Sequence, residues 1–242
     1  MSGVNMEFAH DTQVVLAAAA SLVNTGLTDP DVLGDAALFE TWMDGQPYTG
    51  ERAGTDEERA AVRALRERLV ALWPPGSGPA TDADAATTAA TDTGAADTDA
   101  ATEAATEAAA DTAAARAAAA GADTAATAEG PDRDRTVELV NTILAETDAR
   151  PRLARHDGWD WHLHVTPREA PLADRMGAEI AMSIVELVRG DDLSRLRRCA
   201  GEDCDAVLVD LSRNRSKRFC DTGNCANRAH VAAYRARRAS RA

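Results

Sequence analysis

From Gly76 to Gly130 the chain is built almost wholly of Ala, Thr, Asp, Gly and Glu, with no aromatic residue and no Leu, Ile, Val or Met. That stretch of 55 residues carries ten acidic side chains and one Arg. It cannot bury enough apolar surface to offset the entropy of ordering it. Composition therefore predicts a disordered acidic insert, with transient helix around "AAADTAAARAAAA". Whatever folds must be assembled from residues 1–75 and 131–242. Ala inflates the apolar fraction and aromatics are only 4%, so the core must come from segments carrying Leu, Val, Ile, Met and Trp.

The flanking segments read as helices. "TQVVLAAAASLVN" (12–24) forms one apolar helix, and residues 31–44 hold a second, with Val32, Leu33, Leu38, Phe39 and Trp42 available for the core. In "TDEERAAVRALRERLVALWPP", Thr55 and Glu58 make a capping box and Pro74 stops the helix. Val62, Leu65, Leu69 and Leu72 keep the spacing of one buried face. Beyond the insert, a helix opens near Pro131. "GWDWHLHVTP" then changes period: Trp159, Trp161, Leu163 and Val165 alternate with Asp160, His162, His164 and Thr166. That alternation predicts a half-buried strand whose histidines lie on the wet side, paired with a strand near Arg152. "PLADRMGAEIAMSIVELVRG" returns to helix, and "DDLSRLRRC" predicts a short helix leading into the cysteines.

All four cysteines lie in the last fifth of the chain, as C-x4-C, fifteen residues, then C-x4-C. Two close pairs across such a loop are the pattern of one tetrahedral zinc ion held by Cys199, Cys204, Cys220 and Cys225. Four protein ligands leave no position for substrate, so the zinc is structural. After Cys225 a helix is expected. Cys225, Ala229, Ala232 and Ala236 share a narrow arc of it, a small-residue face able to lie close to the zinc knuckle.

Charge is unevenly spread. The chain has a net charge of -14, yet from Arg189 onward it has 13 basic and 7 acidic residues. A basic tail on an acidic body points to a polyanion, or to contacts with its own body. Eight of these basic residues gather around the second cysteine pair: Arg213, Arg215, Lys217 and Arg218 before Cys220, then Arg228, Arg235, Arg237 and Arg238 on the last helix. Asn214, Asn227 and Arg228 are candidates to read base edges. With few aromatics in the finger, double-stranded DNA is favoured over stacked single strands. A protein-interaction module with a basic face for an acidic partner is the alternative. An enzyme is disfavoured: no nucleophile motif, phosphate loop or H-E-x-x-H helix appears, and only the His162/His164 pair resembles ligand spacing. No stretch of about 18 apolar residues is present and "VVLAAAASLV" lacks a basic lead-in, so a cytoplasmic protein with no membrane span is expected. In that reducing compartment the cysteines stay unpaired.

"CAGEDCDAVLVDLSRNRSKRFCDTGNCANRAHVAAYRARR" resembles the CGNR-type zinc finger over about 40 residues. Asp210, Ser212, Arg213, Asn214, Arg215, Ser216, Arg218, Cys220, Cys225, Asn227 and Arg228 match position by position. Ala226 replaces the family Gly, which a helical backbone accepts. "SLVNT" (21–25) resembles a piece near the start of the ABATE domain that accompanies this finger. The resemblance implies an ABATE-like mostly helical domain over 1–75 and 131–190, a finger over 191–242, and a stress-responsive DNA-binding transcription regulator. In that reading the body senses a small-molecule inducer or pairs subunits as a homodimer. The expected fold is thus α+β: a mostly helical body with a small β-hairpin, and a zinc knuckle followed by a helix.

Overall fold

A computed structural model describes residues 8–75, 131–155 and 160–239. The acidic Ala/Thr/Asp insert and Trp159 lie outside the described residues. The described chain forms helices α1 (His10–Asn24), α2 (Ala36–Met43), α3 (Asp56–Leu69), α4 (Arg133–Glu146), α5 (Leu172–Arg189) and α6 (Cys225–Ala239). Two antiparallel hairpins accompany them: β1 (Arg152–Ala154) with β2 (His162–His164), and β3 (Leu196–Arg198) with β4 (Val207–Val209). Over the described residues the protein is mostly helical with two small sheets.

Helix α5 is the centre, packed against α1, α3 and α4. Met176, Ile180, Ile184 and Leu187 repeat at helical spacing and are buried. Gly177 lets α3 and α4 approach. A Cβ there would come within 3.3 Å of both Leu65 Cδ1 and Ile143 Cγ2. Thr55 accepts the Glu58 N–H, while the Glu58 carboxylate reaches back to the N–H groups of Ala53 and Gly54. The four orphan donors of the α3 N-terminus are thereby partly satisfied.

The structure departs from expectation in four places. Residues 31–44 are not one helix. Asp31 accepts the Leu33 N–H and caps a 3-10 turn over Val32–Gly34, and Asp35 then accepts the Leu38 N–H and starts α2. These two successive side-chain caps break the run, and Leu38 is left exposed. "DDLSRLRRC" supplies only a 3-10 turn, Leu193–Arg195, because Leu196–Arg198 pairs with β4.

The third departure is the phase of β2. Trp161 is 64% exposed, with the Arg155 guanidinium 5.8 Å from its ring centroid, whereas His164 is buried with Val165 and Thr166. Half-buried polar partners meet this strand: Asp11 accepts the backbone N–H of Leu163 at 3.1 Å, and His164 Nδ1 faces Glu179 at 3.8 Å. Polar residues can face a core when their partners wait there.

The last departure is α6. Cys225 is its one buried residue and Ala229 is half-buried; the rest of the helix is exposed. The small-residue face does not lie along the knuckle. Only the first turn is tied down, by the metal ligand, and the helix projects from it. Ala226 adopts helical backbone, as expected.

Hairpin β3–β4 joins finger to body. Leu193, Leu196, Val207 and Val209 belong to the main core, while Leu208 on the opposite face packs with Cys199, Ala206, Cys220 and Cys225. The Asn24 side chain acts as a further strand edge, donating to Val207 O at 2.9 Å and accepting from Val207 N at 2.8 Å. Trp73 Nε1 donates to Leu208 O at 3.0 Å. Among the described residues no helix is long and apolar enough to cross a membrane.

Candidate zinc centre and basic surface

The hairpin builds half of the metal site. Cys199 follows β3 and Cys204 precedes β4, and the turn between them is closed by Cys199 N donating to Ala206 O at 2.8 Å. Asp203 turns the corner at φ +54°. Cys220 ends the following loop and Cys225 opens α6.

The four Sγ atoms all lie within 4.8 Å of one another, and the Cys204–Cys220 and Cys220–Cys225 separations are both 3.8 Å. Four sulfurs about 2.3 Å from one tetrahedral zinc stand roughly 3.8 Å apart. None of the cysteines is in a disulfide. Donor type, number and spacing therefore fit a single zinc ion with no open position, and these four thiols form the zinc site.

Backbone N–H groups of Gly201 and Cys220 both donate to Cys199 Sγ at 3.3 Å, and Arg228 donates to Cys225 Sγ at 3.1 Å. Such donors stabilise thiolate charge. Without metal the thiols differ. Burial pushes Cys204 up to about 12 and raises Cys199. Burial opposes ionisation of Cys220 too, but bonds from Thr222 and Gly223 and from the Cys199 and Cys204 thiols bring it down to about 6. Zinc displaces the remaining protons, so its binding is proton-linked.

Gly201 was not singled out by sequence reasoning. A Cβ on it would sit 2.8 Å from Cys225 Sγ and 2.9 Å from Cys225 Cβ. The first knuckle is thus obliged to carry glycine where it passes the last ligand. The signal available was the Gly inside "CAGEDC".

Asp210 organises the basic loop. It is 0% exposed. It accepts from Ser212 N and Lys217 N, each at 3.0 Å, and from the Ser212 hydroxyl, and it pairs with Arg197 at 3.2 Å. A buried carboxylate persists only with such a full set of partners. The Asp-x-Ser spacing is a folding device for the loop.

The structure sorts the predicted contact residues. Arg215 adopts φ +49°, a left-handed conformation uncommon for a non-glycine residue, and its guanidinium binds Asp192 and Ser194. Lys217 pairs with Asp221, and Arg228 serves the Cys225 thiolate. These three carry internal work. Arg213, Arg218, Arg235 and Arg238 are exposed and form no ion pair among the described residues. Asn214, Asn227 and Arg237 are exposed as well. On α6, Asn227, Arg228, Val231, Tyr234, Arg235 and Arg238 fall on one stripe of the helical wheel.

No curated protein matches the chain. Residues 195–238, from the 3-10 turn ahead of β3 to the last turn of α6, match the family model described as the CGNR zinc finger.

Proposed function

We propose that this protein is a DNA-binding transcription regulator whose zinc finger presents α6 to double-stranded DNA. The observation that carries the reading is that α6, anchored at Cys225 and otherwise exposed, bears a stripe of arginines interleaved with Val231 and Tyr234, 40% and 56% exposed. A fifteen-residue helix with no face in its own core has the dimensions of a major-groove reader. Phosphates would be met by Arg213 and Arg218 from the loop and by Arg235, Arg237 and Arg238 from the helix. Asn214 and Asn227 are the residues offered to base edges, and Arg228 lies beside them. One short helix spans few base pairs, so we further propose a homodimer on two half-sites. The helical body, read as ABATE-like, would sense an inducer or pair the subunits in response to stress. We propose a binding role with no catalysis, in a reducing, cytoplasmic compartment that keeps the cysteines free for zinc.

A second reading keeps the same stripe and changes the partner. Val231 and Tyr234 among arginines also suit an acidic protein groove. Full-length zinc-loaded protein incubated with fragmented genomic DNA separates the two. Recovery of a few loci sharing a short site supports the regulator. Replacing Arg213, Arg218, Arg235 and Arg238 with Ala should then lower affinity and flatten the salt dependence, the log–log slope falling by roughly 0.9 for each phosphate no longer neutralised. Undiminished affinity and slope in that variant, with zinc retained, would refute the stripe as the DNA surface. No enriched fragment would favour the protein partner.

A further inference from the structure

The β1–β2 hairpin sets a second group of ligand-type side chains against α1 and α5, away from the zinc centre. His162 and His164 share one strand face, and their Nε2 atoms are 3.2 Å apart. His162 Nδ1 lies 2.8 Å from the Asp160 carbonyl oxygen. A carbonyl only accepts, so Nδ1 carries the proton and Nε2 keeps its lone pair. His164 turns Nδ1 toward Glu179 Oε1 at 3.8 Å, the side on which a carboxylate backs a metal-bound imidazole.

Two imidazole nitrogens about 2.1 Å from one ion, at angles near 90 to 110°, stand roughly 3.0–3.4 Å apart. The observed separation falls inside that bite. The rings, Asp11 and Glu179 line one cavity of about 50 Å³, enough for an ion with a bound water. The cavity presents two carboxyl groups. Arg175, the cation whose charge reaches Glu179, is held by the carbonyl oxygens of Thr49 and Glu51. Asp11 accepts from the N–H groups of Thr12 and Leu163, which fixes the strand beside the two rings.

We propose that His162 and His164 bind one divalent transition-metal ion through Nε2, with Glu179 orienting the His164 ring and solvent completing the coordination. Imidazole with oxygen ligands selects ions of the zinc class. Unlike the four-thiolate centre, this site keeps open positions, so the ion can be exchanged or take a further ligand.

The test uses full-length protein with the finger loaded with zinc, and Co²⁺ as the added probe. Wild type should take up one further equivalent, with the weak visible bands of nitrogen- and oxygen-bound cobalt and without thiolate charge transfer. His162→Ala should weaken that uptake about tenfold or more while the finger keeps its zinc. His164 is buried, so His164→Gln serves as the second variant, with circular dichroism checking the fold. Uptake of no further equivalent by wild type, as a simple ring-to-ring hydrogen bond requires, would overturn the proposal. So would a further equivalent that survives in both folded variants. Neither readout involves DNA, so failure here leaves the regulator reading standing.

Discussion

Replacing Asn24 with Ala should loosen the finger from the body at a site 183 residues away in sequence. The Asn24 amide makes two bonds to Val207, one to its carbonyl at 2.9 Å and one from its N–H at 2.8 Å, both buried. Ala can replace neither. An orphaned buried backbone group costs about 1–3 kcal/mol. Two groups on one residue are coupled and do not add fully, so roughly 2–5 kcal/mol is expected. Against a total of about 5–15 kcal/mol for a domain, that is a large fraction. Urea unfolding of the zinc-loaded full chain should show a lower midpoint with an unchanged slope. Hydrogen exchange should accelerate at Leu196–Arg198 and Val207–Val209 while α3 and α4 keep their protection. Thr28→Ala, which removes a half-buried side-chain bond to Thr25 O and a long exposed one from Val32 N, is the control and should cost about 0.5 kcal/mol or less. An Asn24→Ala protein within about 0.5 kcal/mol of wild type, with hairpin exchange unchanged, would show that the bidentate contact does not hold the two parts together.

Three other perturbations have defined outcomes. Gly201→Ala pushes a methyl into Cys225, 2.8 Å from its sulfur; chelator competition should report zinc binding roughly ten- to a hundredfold weaker, while Gly45→Ala, whose Cβ meets nothing closer than 3.5 Å, should bind as wild type. Cys220→Ser should abolish stoichiometric zinc while circular dichroism still shows the body helices, and unchanged zinc content would defeat the four-thiolate assignment. The Asp31 carboxyl is held below the usual range chiefly by its hydrogen bond to Arg66, against the opposing effect of burial. A depressed carboxylate contributes stability above its unfolded value and loses it as pH falls, so thermal melts of Asp31→Asn should show a shallower loss below about pH 4 than wild type.

The zinc ligands were legible because their chemistry is local: two C-x4-C pairs restrict the sulfurs to a few geometries before any tertiary contact forms. The helices were legible where one periodic face was buried, as in α3 and α5. Three things were hidden, each for a physical reason. The 31–44 run has helical composition throughout, and only the capping geometry of Asp31 and Asp35 divides it. β3 is Leu-Arg-Arg, a sequence with no strand preference, and it becomes a strand because β4, itself held by Asn24 at Val207, offers it a ladder. The inward phase of β2 could not be read from alternation. A histidine face and a tryptophan face compete for the core, and the partners of the histidine side, Glu179 and Asp11, come from α5 and α1, segments the strand's own alternation does not report.

The arginines of the finger divide by what they touch, and in the regulator reading that division bears on how the body would be coupled to α6. Arg195 donates to the carbonyls of Asp210 and Ser212, Arg198 to those of Pro74 and Asp205, and Arg197 pairs with Asp210. All three lie on or beside β3, so the basic loop and the knuckle are positioned from the same hairpin that Asn24 and Trp73 grip from the body. Within β4, Val207 and Val209 face the main core and Leu208 faces the cysteines. Close-packed cores shift between discrete arrangements rather than stretching. A change in α1 or at the end of α3 therefore cannot be absorbed by a flexible link before it reaches the zinc centre. It reaches the hairpin, whose Cys199 and Cys204 share the zinc site with Cys225, the residue that anchors α6. In the regulator reading, the exposed helix is the output of that lever, and its exposure beyond the first turn lets it take up whichever position the hairpin dictates.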